Sequence, residues 1–235
     1  MILIVLSAVV YFIHYLIFRD AHSIFFYMIE DIAFLFIEVL LVTLIIHKVL
    51  NVREKRTILE KLNMIIGVFF SEVGTVLLTY LSDCDPDLNK IKKELIVTNS
   101  WSDKEFSAVT QNLRNYSFEV DIQKINLAYL SNFLVGKRDF LVRLLENPNL
   151  LEHESFTEFL WAVFHLTEEL SVRKDLKQLP GTDYSHLAGD IKRAYSSLVR
   201  EWLNYMKHLK HAYPYLFSLA MRTNPFDENA SVIVK

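Results

Sequence analysis

MILIVLSAVVYFIHYLIF, residues 1–18, opens the chain with eighteen residues that carry no formally charged side chain. His14 is the only strongly polar residue in this run. A stretch of this length is just long enough to cross the hydrocarbon core of a bilayer as a helix. It predicts a first transmembrane span over residues 1–18. We expect the segment to be retained, because it lacks the basic start and the cleavage site of a signal peptide.

A second apolar run follows the short link Arg19-Asp20-Ala21-His22 and predicts a second span over residues 28–46. Because the link is so short, the two helices are expected to be antiparallel neighbours. The sequence therefore predicts a two-helix transmembrane hairpin over residues 1–47. Cationic residues are concentrated after it, at Lys48, Arg53, Lys55 and Arg56. This charge bias predicts a multi-pass protein with both termini in the cytoplasm.

The next segment, residues 48–83, predicts a long stem helix, because apolar residues recur there at steps of three and four. Gly67 and Gly74 lie seven residues apart on nearly the same helical face, a spacing that lets a neighbouring backbone pack closely. That neighbour is either another copy of the chain or a later helix of the same chain. A third span over residues 62–81, where only Glu72 is charged, is the topological alternative. We favour two spans because a charge in mid-membrane is unfavourable.

The remainder predicts a mostly helical cytoplasmic domain over residues 84–223 and an irregular tail over residues 224–235. The chain has only five glycines and five prolines, which favours long helices over a turn-rich β fold. Two capping-box patterns, Ser102-x-x-Glu105 and Ser155-x-x-Glu158, mark helix starts. The patterns predict helices at 86–97, 103–115, 121–134, 137–146, 156–174 and 184–211. The predicted fold class is thus an all-α membrane protein.

Composition excludes several classes of function. The formal net charge of −3 is near neutral and lacks the basic surplus that would point to nucleic acid as a partner. A single cysteine, Cys84, forms no intramolecular disulfide and offers no zinc-binding cysteine pair. Phosphate-binding, nucleophile-elbow and zinc-protease motifs do not occur, so we expect no cofactor and favour a non-enzymatic protein.

Three acidic residues in the second predicted span, Glu30, Asp31 and Glu38, are candidates for function. An ionisable residue within a membrane is a functional candidate by default, and rings of carboxylates in an oligomer bind or conduct cations. The alternative is that Glu38 is protonated, or paired with His14 or a hydroxyl, and only fixes helix packing.

The predicted helical domain contains one weak candidate for a metal site. Asp183, His186 and Asp190 recur at helical steps of three and four, a spacing at which side chains share one ion. The simpler interpretation makes Asp183 a helix cap and His186 a surface residue. His165 lies in an apolar run and is predicted to be a core histidine.

Three stretches resemble a group of uncharacterised prokaryotic two-span membrane proteins with a helical C-terminal domain. They are Arg19-Asp20-Ala21-His22, Glu60-Lys61-Leu62-Asn63-Met64-Ile65-Ile66-Gly67 and Tyr213-Pro214-Tyr215-Leu216-Phe217-Ser218-Leu219-Ala220. The resemblance covers nearly the whole chain. It implies a prokaryotic cytoplasmic (inner) membrane location, and it implies no activity or site.

These observations lead to three hypotheses of function. The first is a homo-oligomeric membrane protein that acts as a scaffold or sensor, with the lipid bilayer and further copies of itself as partners. The second is a cation channel or transporter that uses the acidic residues of the second span. The third is a metal-dependent enzyme in the helical domain.

Overall fold

The computed structural model describes residues 2–233, which contain helices and no β-strand. The chain forms two compact units that divide between Thr57 and Ile58. The α-helices are α1 (Ile2–Phe18), α2 (Ala21–Phe69), α3 (Thr75–Ser82), α4 (Asp103–Asn115), α5 (Leu127–Gly136), α6 (Arg138–Leu145), α7 (Glu154–Ser171), α8 (Gly181–Ala212) and α9 (Pro214–Arg222).

The N-terminal unit consists of α1 and the first part of α2. Arg19 adopts a left-handed backbone conformation with φ of 49° between the two helices. The Asp20 carboxylate then starts α2 by accepting hydrogen bonds from the backbone N–H groups of His22 and Ser23. Nearly every described side chain of this unit is exposed. The exceptions are half-buried and lie near the turn: His14, Ser23, Ile24 and Met28.

The length and apolar character of the helices do not support the predicted membrane spans. None of the helices in residues 2–233 has both the length and the apolar character needed to cross a membrane. Helix α1 has 17 residues, which is about 25 Å at a rise of about 1.5 Å per residue, against roughly 30 Å for a bilayer core. In α2 the predicted span over residues 28–46 is interrupted by the carboxylates of Glu30, Asp31 and Glu38.

Residues 62–81 form part of the core of the C-terminal unit. Their apolar stripe is buried, at Leu62, Ile66, Phe69, Phe70, Val73, Leu77, Leu78 and Leu81. The Phe69 ring makes edge-to-face contacts with Phe156 and Phe159 of α7. The apolar periodicity of the predicted stem therefore serves packing against later helices, and the third-span alternative is wrong because these side chains are covered by protein.

A single π-helical turn, Phe70–Gly74, interrupts the helical path between α2 and α3. The Phe70 carbonyl accepts hydrogen bonds from both the backbone N–H and the hydroxyl of Thr75, five residues on. Gly74 is required here by space, because an added Cβ would lie 2.6 Å from Cδ1 of Phe70 and 2.8 Å from Cε1 of Phe69. The predicted stem helix is thus two α-helices joined by a turn with one extra residue.

Gly74→Ala is expected to lower the free energy of unfolding by about 1–3 kcal/mol, the usual range for an overpacked core. This loss outweighs the roughly 1 kcal/mol that alanine contributes over glycine in a helix interior. The matched control is Gly189→Ala in α8, where an added Cβ meets nothing within 4 Å. That variant should gain about 1 kcal/mol. Urea unfolding of both variants tests the difference, and equal effects would contradict it.

One of the two predicted capping boxes is present in the structure. Ser102 and Glu105 form the predicted capping box at the start of α4. The second predicted capping box is wrong, because α7 begins at Glu154 and Nδ1 of His153 accepts the N–H of Phe156. The predicted helices over 137–146, 156–174 and 184–211 correspond to α6, α7 and α8.

Two predicted helix starts at aspartate differ from the structure. The predicted helix over 86–97 is a pair of 3-10 turns, Leu88–Lys90 and Lys92–Leu95. Asp85, which precedes Pro86 as an N-cap residue would, accepts the N–H of Asp87 and closes a local turn. The helix expected over 121–134 begins only at Leu127, where the Asn126 side chain is the cap. An aspartate that bonds two residues ahead competes with helix initiation.

Candidate metal centre

The acidic candidates of the N-terminal unit are not brought together by the fold of a single chain. Glu30, Asp31 and Glu38 are all exposed on α2, among equally exposed apolar side chains. None of the three forms an ion pair with another described residue. Their predicted role in cation binding remains a prediction.

The two candidate packing glycines both lie against aromatic side chains of the C-terminal unit. A Cβ added to Gly67 would lie 3.4 Å from the hydroxyl of Tyr205 in α8. Gly74 lies against Phe69 and Phe70 of its own helical segment. The close contacts seen at these glycines are therefore intramolecular.

A cluster of ionisable side chains lies between α7 and α8, the pair of helices with the most extensive mutual packing. His165 and Glu169 are one turn apart on α7, and His186 and Asp190 are one turn apart on α8. This spacing places each pair on one face of its helix. Packing of the two helices brings the faces together.

His165, His186 and Asp190 offer ligand atoms that all lie within 4.8 Å of one another. Nε2 of His165 is 3.4 Å from Oδ2 of Asp190, and Nε2 of His186 is 3.3 Å from the same oxygen. The Asp190 side chain is only 3% exposed, whereas the two histidines are about half exposed, at 47% and 51%. The cluster is thus a buried carboxylate below two accessible imidazoles.

Arg173 organises the carboxylates beside this cluster. Its guanidinium donates two hydrogen bonds to Asp183, from Nε at 2.8 Å and from Nη2 at 2.7 Å. Nη1 also donates to Oε2 of Glu169 at 2.7 Å. These charged hydrogen bonds hold the pKa values of the Asp183 and Glu169 carboxyls below their usual range. Glu169 stays close to both imidazoles, 3.8 Å from His165 and 3.5 Å from His186.

The predicted metal triple is corrected by this arrangement. Asp183 is bound to Arg173 and takes no part in the group of converging ligand atoms. His165, predicted to be a core histidine, replaces it. Sequence spacing identified the α8 pair, His186 and Asp190. The partner from α7 was missed because no local pattern encodes which helix faces α8, although the His165-x-x-x-Glu169 spacing was a usable signal.

A second group of polar side chains lines a cavity of about 250 Å³ near the other end of α8. Glu201 is 3% exposed, and burial raises the pKa of its carboxyl. Burial also lowers the pKa of His208, whose Nε2 has no hydrogen-bond partner among the described residues. Nε2 of His211 is paired with Oδ1 of Asp103 at 2.8 Å. No set of metal-ligating atoms converges at this second group in the described part of the chain.

Comparison with known proteins assigns the chain to a family. The family model described as "Uncharacterized protein MJ1433, C-terminal helical domain" matches residues 58–222, and its N-terminal counterpart, "MJ1433, N-terminal helical domain", matches residues 1–50. The chain belongs to the MJ1433 family. It is 51% identical over 233 residues to "Uncharacterized protein MJ1433" of Methanocaldococcus jannaschii, a match that covers 99% of this chain and 93% of that protein. No solved structure matches.

The two MJ1433 domain matches agree with the division of the structure. They leave residues 51–57 between them, and the two compact units divide at Thr57. The cluster of His165, His186 and Asp190 belongs to the C-terminal helical domain of the MJ1433 family. Glu30, Asp31 and Glu38 belong to the N-terminal helical domain. The resemblance to uncharacterised proteins with a helical C-terminal domain is therefore confirmed, and the two-span part of that resemblance is not.

Proposed function

We propose that the N-terminal unit anchors this protein in the cytoplasmic membrane, and that the C-terminal helical domain acts as a scaffold or sensor. One observation carries the proposal: the apolar side chains of the N-terminal unit are exposed on every side of their helices. Ile4, Val5 and Leu6 are 73%, 59% and 58% exposed, and three consecutive helical residues point in directions about 100° apart. A helix that is apolar all round requires an apolar environment all round.

The free-energy balance favours transfer of this surface out of water. Each fully buried Val, Leu, Ile or Phe side chain contributes about 1.5–3 kcal/mol, so ten of them contribute on the order of 15–30 kcal/mol. A charged residue at the bilayer centre costs roughly 2.5–3.5 kcal/mol, which gives about 10 kcal/mol for three carboxylates. The apolar gain therefore exceeds the penalty of Glu30, Asp31 and Glu38 together.

The exposed apolar surface of α1 is better suited to the interior of a bilayer than to a position in the plane of the membrane interface. A helix that lies in the plane of the interface needs one strongly polar face, and α1 has none among its described side chains. Exposed cations follow the apolar part of α2, at Lys48, Arg53 and Lys55. They complement the anionic lipid surface of the cytoplasmic leaflet. Local thinning of the bilayer accommodates a helix that is a few ångströms short.

Membrane fractionation of the full chain tests the anchor. We expect the protein to be found in the membrane pellet and to stay there after extraction with alkaline carbonate. Ile13→Lys combined with Leu40→Lys places two charges on exposed apolar positions of the anchor and should move most of the protein to the soluble fraction, because each charge in lipid is unfavourable. The matched control is Val135→Lys with Val172→Lys, two exposed positions of the C-terminal unit. Release of the wild type by carbonate would overturn the proposal.

The scaffold hypothesis also requires copies of the chain to associate with one another. The contacts of Gly67 and Gly74 are satisfied inside one chain. The apolar helices of the N-terminal unit carry most of the exposed large apolar side chains among the described residues, so we expect copies to meet there. Light scattering of the same membrane extract in mild detergent should give one defined oligomer. A monomer under these conditions would contradict the scaffold role without affecting the anchor.

A further inference from the structure

We propose that His165, His186 and Asp190 bind one first-row divalent transition metal ion such as Zn²⁺, with Glu169 as the adjacent fourth group. The proposal is independent of the membrane anchor. It rests on the geometry of the ligand atoms and on an unsatisfied buried carboxylate oxygen.

The first observation is the spacing of the ligand atoms. Tetrahedral zinc has bonds of about 2.0–2.2 Å to imidazole nitrogen and carboxylate oxygen, so its ligand atoms lie about 3.3–3.6 Å apart. Oδ2 of Asp190 is 3.4 Å from Nε2 of His165 and 3.3 Å from Nε2 of His186. Nε2 of His186 is also 3.5 Å from Oε2 of Glu169. The separations from Asp190 match a shared ion, and rotation of the half-exposed imidazoles would close the remaining gap between their nitrogens, which lie within 4.8 Å of each other.

The second observation is the state of Asp190. The Asp190 side chain is only 3% exposed. Its Oδ2 atom has no hydrogen-bond partner among the described residues. The two imidazole nitrogens approach this oxygen but are not oriented to donate to it. A buried carboxylate oxygen without a hydrogen-bond partner is unfavourable. A cation between the three atoms removes that penalty.

Neighbouring groups supply the outer support that metal ligands require. Arg193 lies 3.4 Å from the other carboxylate oxygen, Oδ1 of Asp190, which leaves Oδ2 directed at the imidazoles. Arg173 orients Glu169 through a charged hydrogen bond. Such outer contacts fix the orientation of the residues that bind the metal directly. Mutation of such outer residues typically lowers metal affinity 10–100-fold. The half-exposed histidines give the ion a path from solvent.

The ligand set determines the class of metal. Two imidazole nitrogens with carboxylate oxygens suit Zn²⁺, Fe²⁺, Co²⁺ or Ni²⁺, whereas Mg²⁺ and Ca²⁺ prefer oxygen ligands alone. We therefore expect Zn²⁺ and Co²⁺ to bind and Mg²⁺ not to compete at equal concentration.

Titration of the full, untagged chain with Co²⁺ after chelator treatment tests the site. One equivalent of Co²⁺ should bind with the intense visible absorption of a tetrahedral complex, and Zn²⁺ should abolish that absorption. His186→Asn and Asp190→Asn should each weaken binding by more than about tenfold, a lower bound set by the effect of outer contacts alone. Circular dichroism establishes that each variant is folded.

Two further variants separate this site from its alternatives. His211→Asn removes an exposed histidine elsewhere on α8 and should leave Co²⁺ affinity unchanged. Asp183→Asn tests the triple expected from sequence spacing and should weaken binding less than Asp190→Asn does. Failure to bind one equivalent of Co²⁺, or equal affinity in wild type and the His186 and Asp190 variants, would overturn the proposal.

Discussion

Phe69→Ala should lower the free energy of unfolding of the C-terminal unit by about 3–5 kcal/mol, the range for truncation of a buried phenylalanine. The Phe69 ring is fully buried, and its centre lies 5.2 Å from that of Phe159, 5.5 Å from Phe70 and 5.6 Å from Phe156. Edge-to-face pairs add to the effect of burial alone. A loss of this size is a large fraction of the roughly 5–15 kcal/mol that stabilises a typical protein.

Tryptophan fluorescence during urea unfolding measures this loss in the relevant unit. All three tryptophans of the chain, Trp101, Trp161 and Trp202, lie after the division at Thr57. The control is Val135→Ala, an exposed position whose truncation should change the free energy by less than about 0.5 kcal/mol. If Phe69→Ala had no more effect than the control, residues 62–81 would not form part of the core.

Asp85→Asn combined with Glu201→Gln should raise the free energy of unfolding of the C-terminal unit at pH 7 by about 1–3 kcal/mol in total, because a neutral amide replaces each buried carboxyl that would otherwise be charged. Asp85 and Glu201 are 6% and 3% exposed, and burial raises the pKa of both carboxyls. The oxygens Oδ2 of Asp85 and Oε2 of Glu201 have no hydrogen-bond partner among the described residues. A neutral amide avoids the penalty of burying a charge, and an amide at residue 85 still accepts the N–H of Asp87.

The pH dependence of unfolding gives the sign of this effect. A carboxyl whose folded pKa is raised favours folding in its protonated form, fully below its unfolded pKa near 4, and that contribution is lost as pH rises through the folded pKa. Relative to the double variant, the wild type should therefore gain stability as pH falls from 7 towards the unfolded pKa of the carboxyls. Glu158→Gln, an exposed carboxyl of α7, is the control and should keep the wild-type slope. An unchanged slope in the double variant would contradict the assignment.

Local patterns predicted the helices but not their environment. The Ser102 capping box and the apolar periodicity around α7 and α8 correctly indicated helices, because these signals act within a few residues. Apolar periodicity describes one face of a helix and does not distinguish lipid from protein as its cover. Residues 62–81 illustrate this ambiguity: their stripe fits a span by length, and the rings of α7 that bury it are about ninety positions away.

The sequence predicted only part of the candidate metal site, because spacing along the chain relates residues of one helix and not residues of two helices. His186 and Asp190 share a helix, so their spacing is visible in the sequence. His165 comes from a different helix, and Asp183 is withdrawn from the group by Arg173, which reaches it from beyond the end of α7. Both facts depend on the docking of α7 against α8, which no local pattern of either helix encodes.

The π-helical turn at Phe70–Gly74 also gives the chain a tolerance for changes in length. An α-helix rotates by about 100° for each residue added or removed, so a one-residue deletion normally turns every later side chain away from its partner. The turn already accommodates one surplus residue. Loss of the exposed Ser71 or Glu72 would convert it to regular α-helix while α3 keeps its orientation. This is the position along α2 and α3 at which a change in chain length leaves the packing of Leu77 and Leu81 intact.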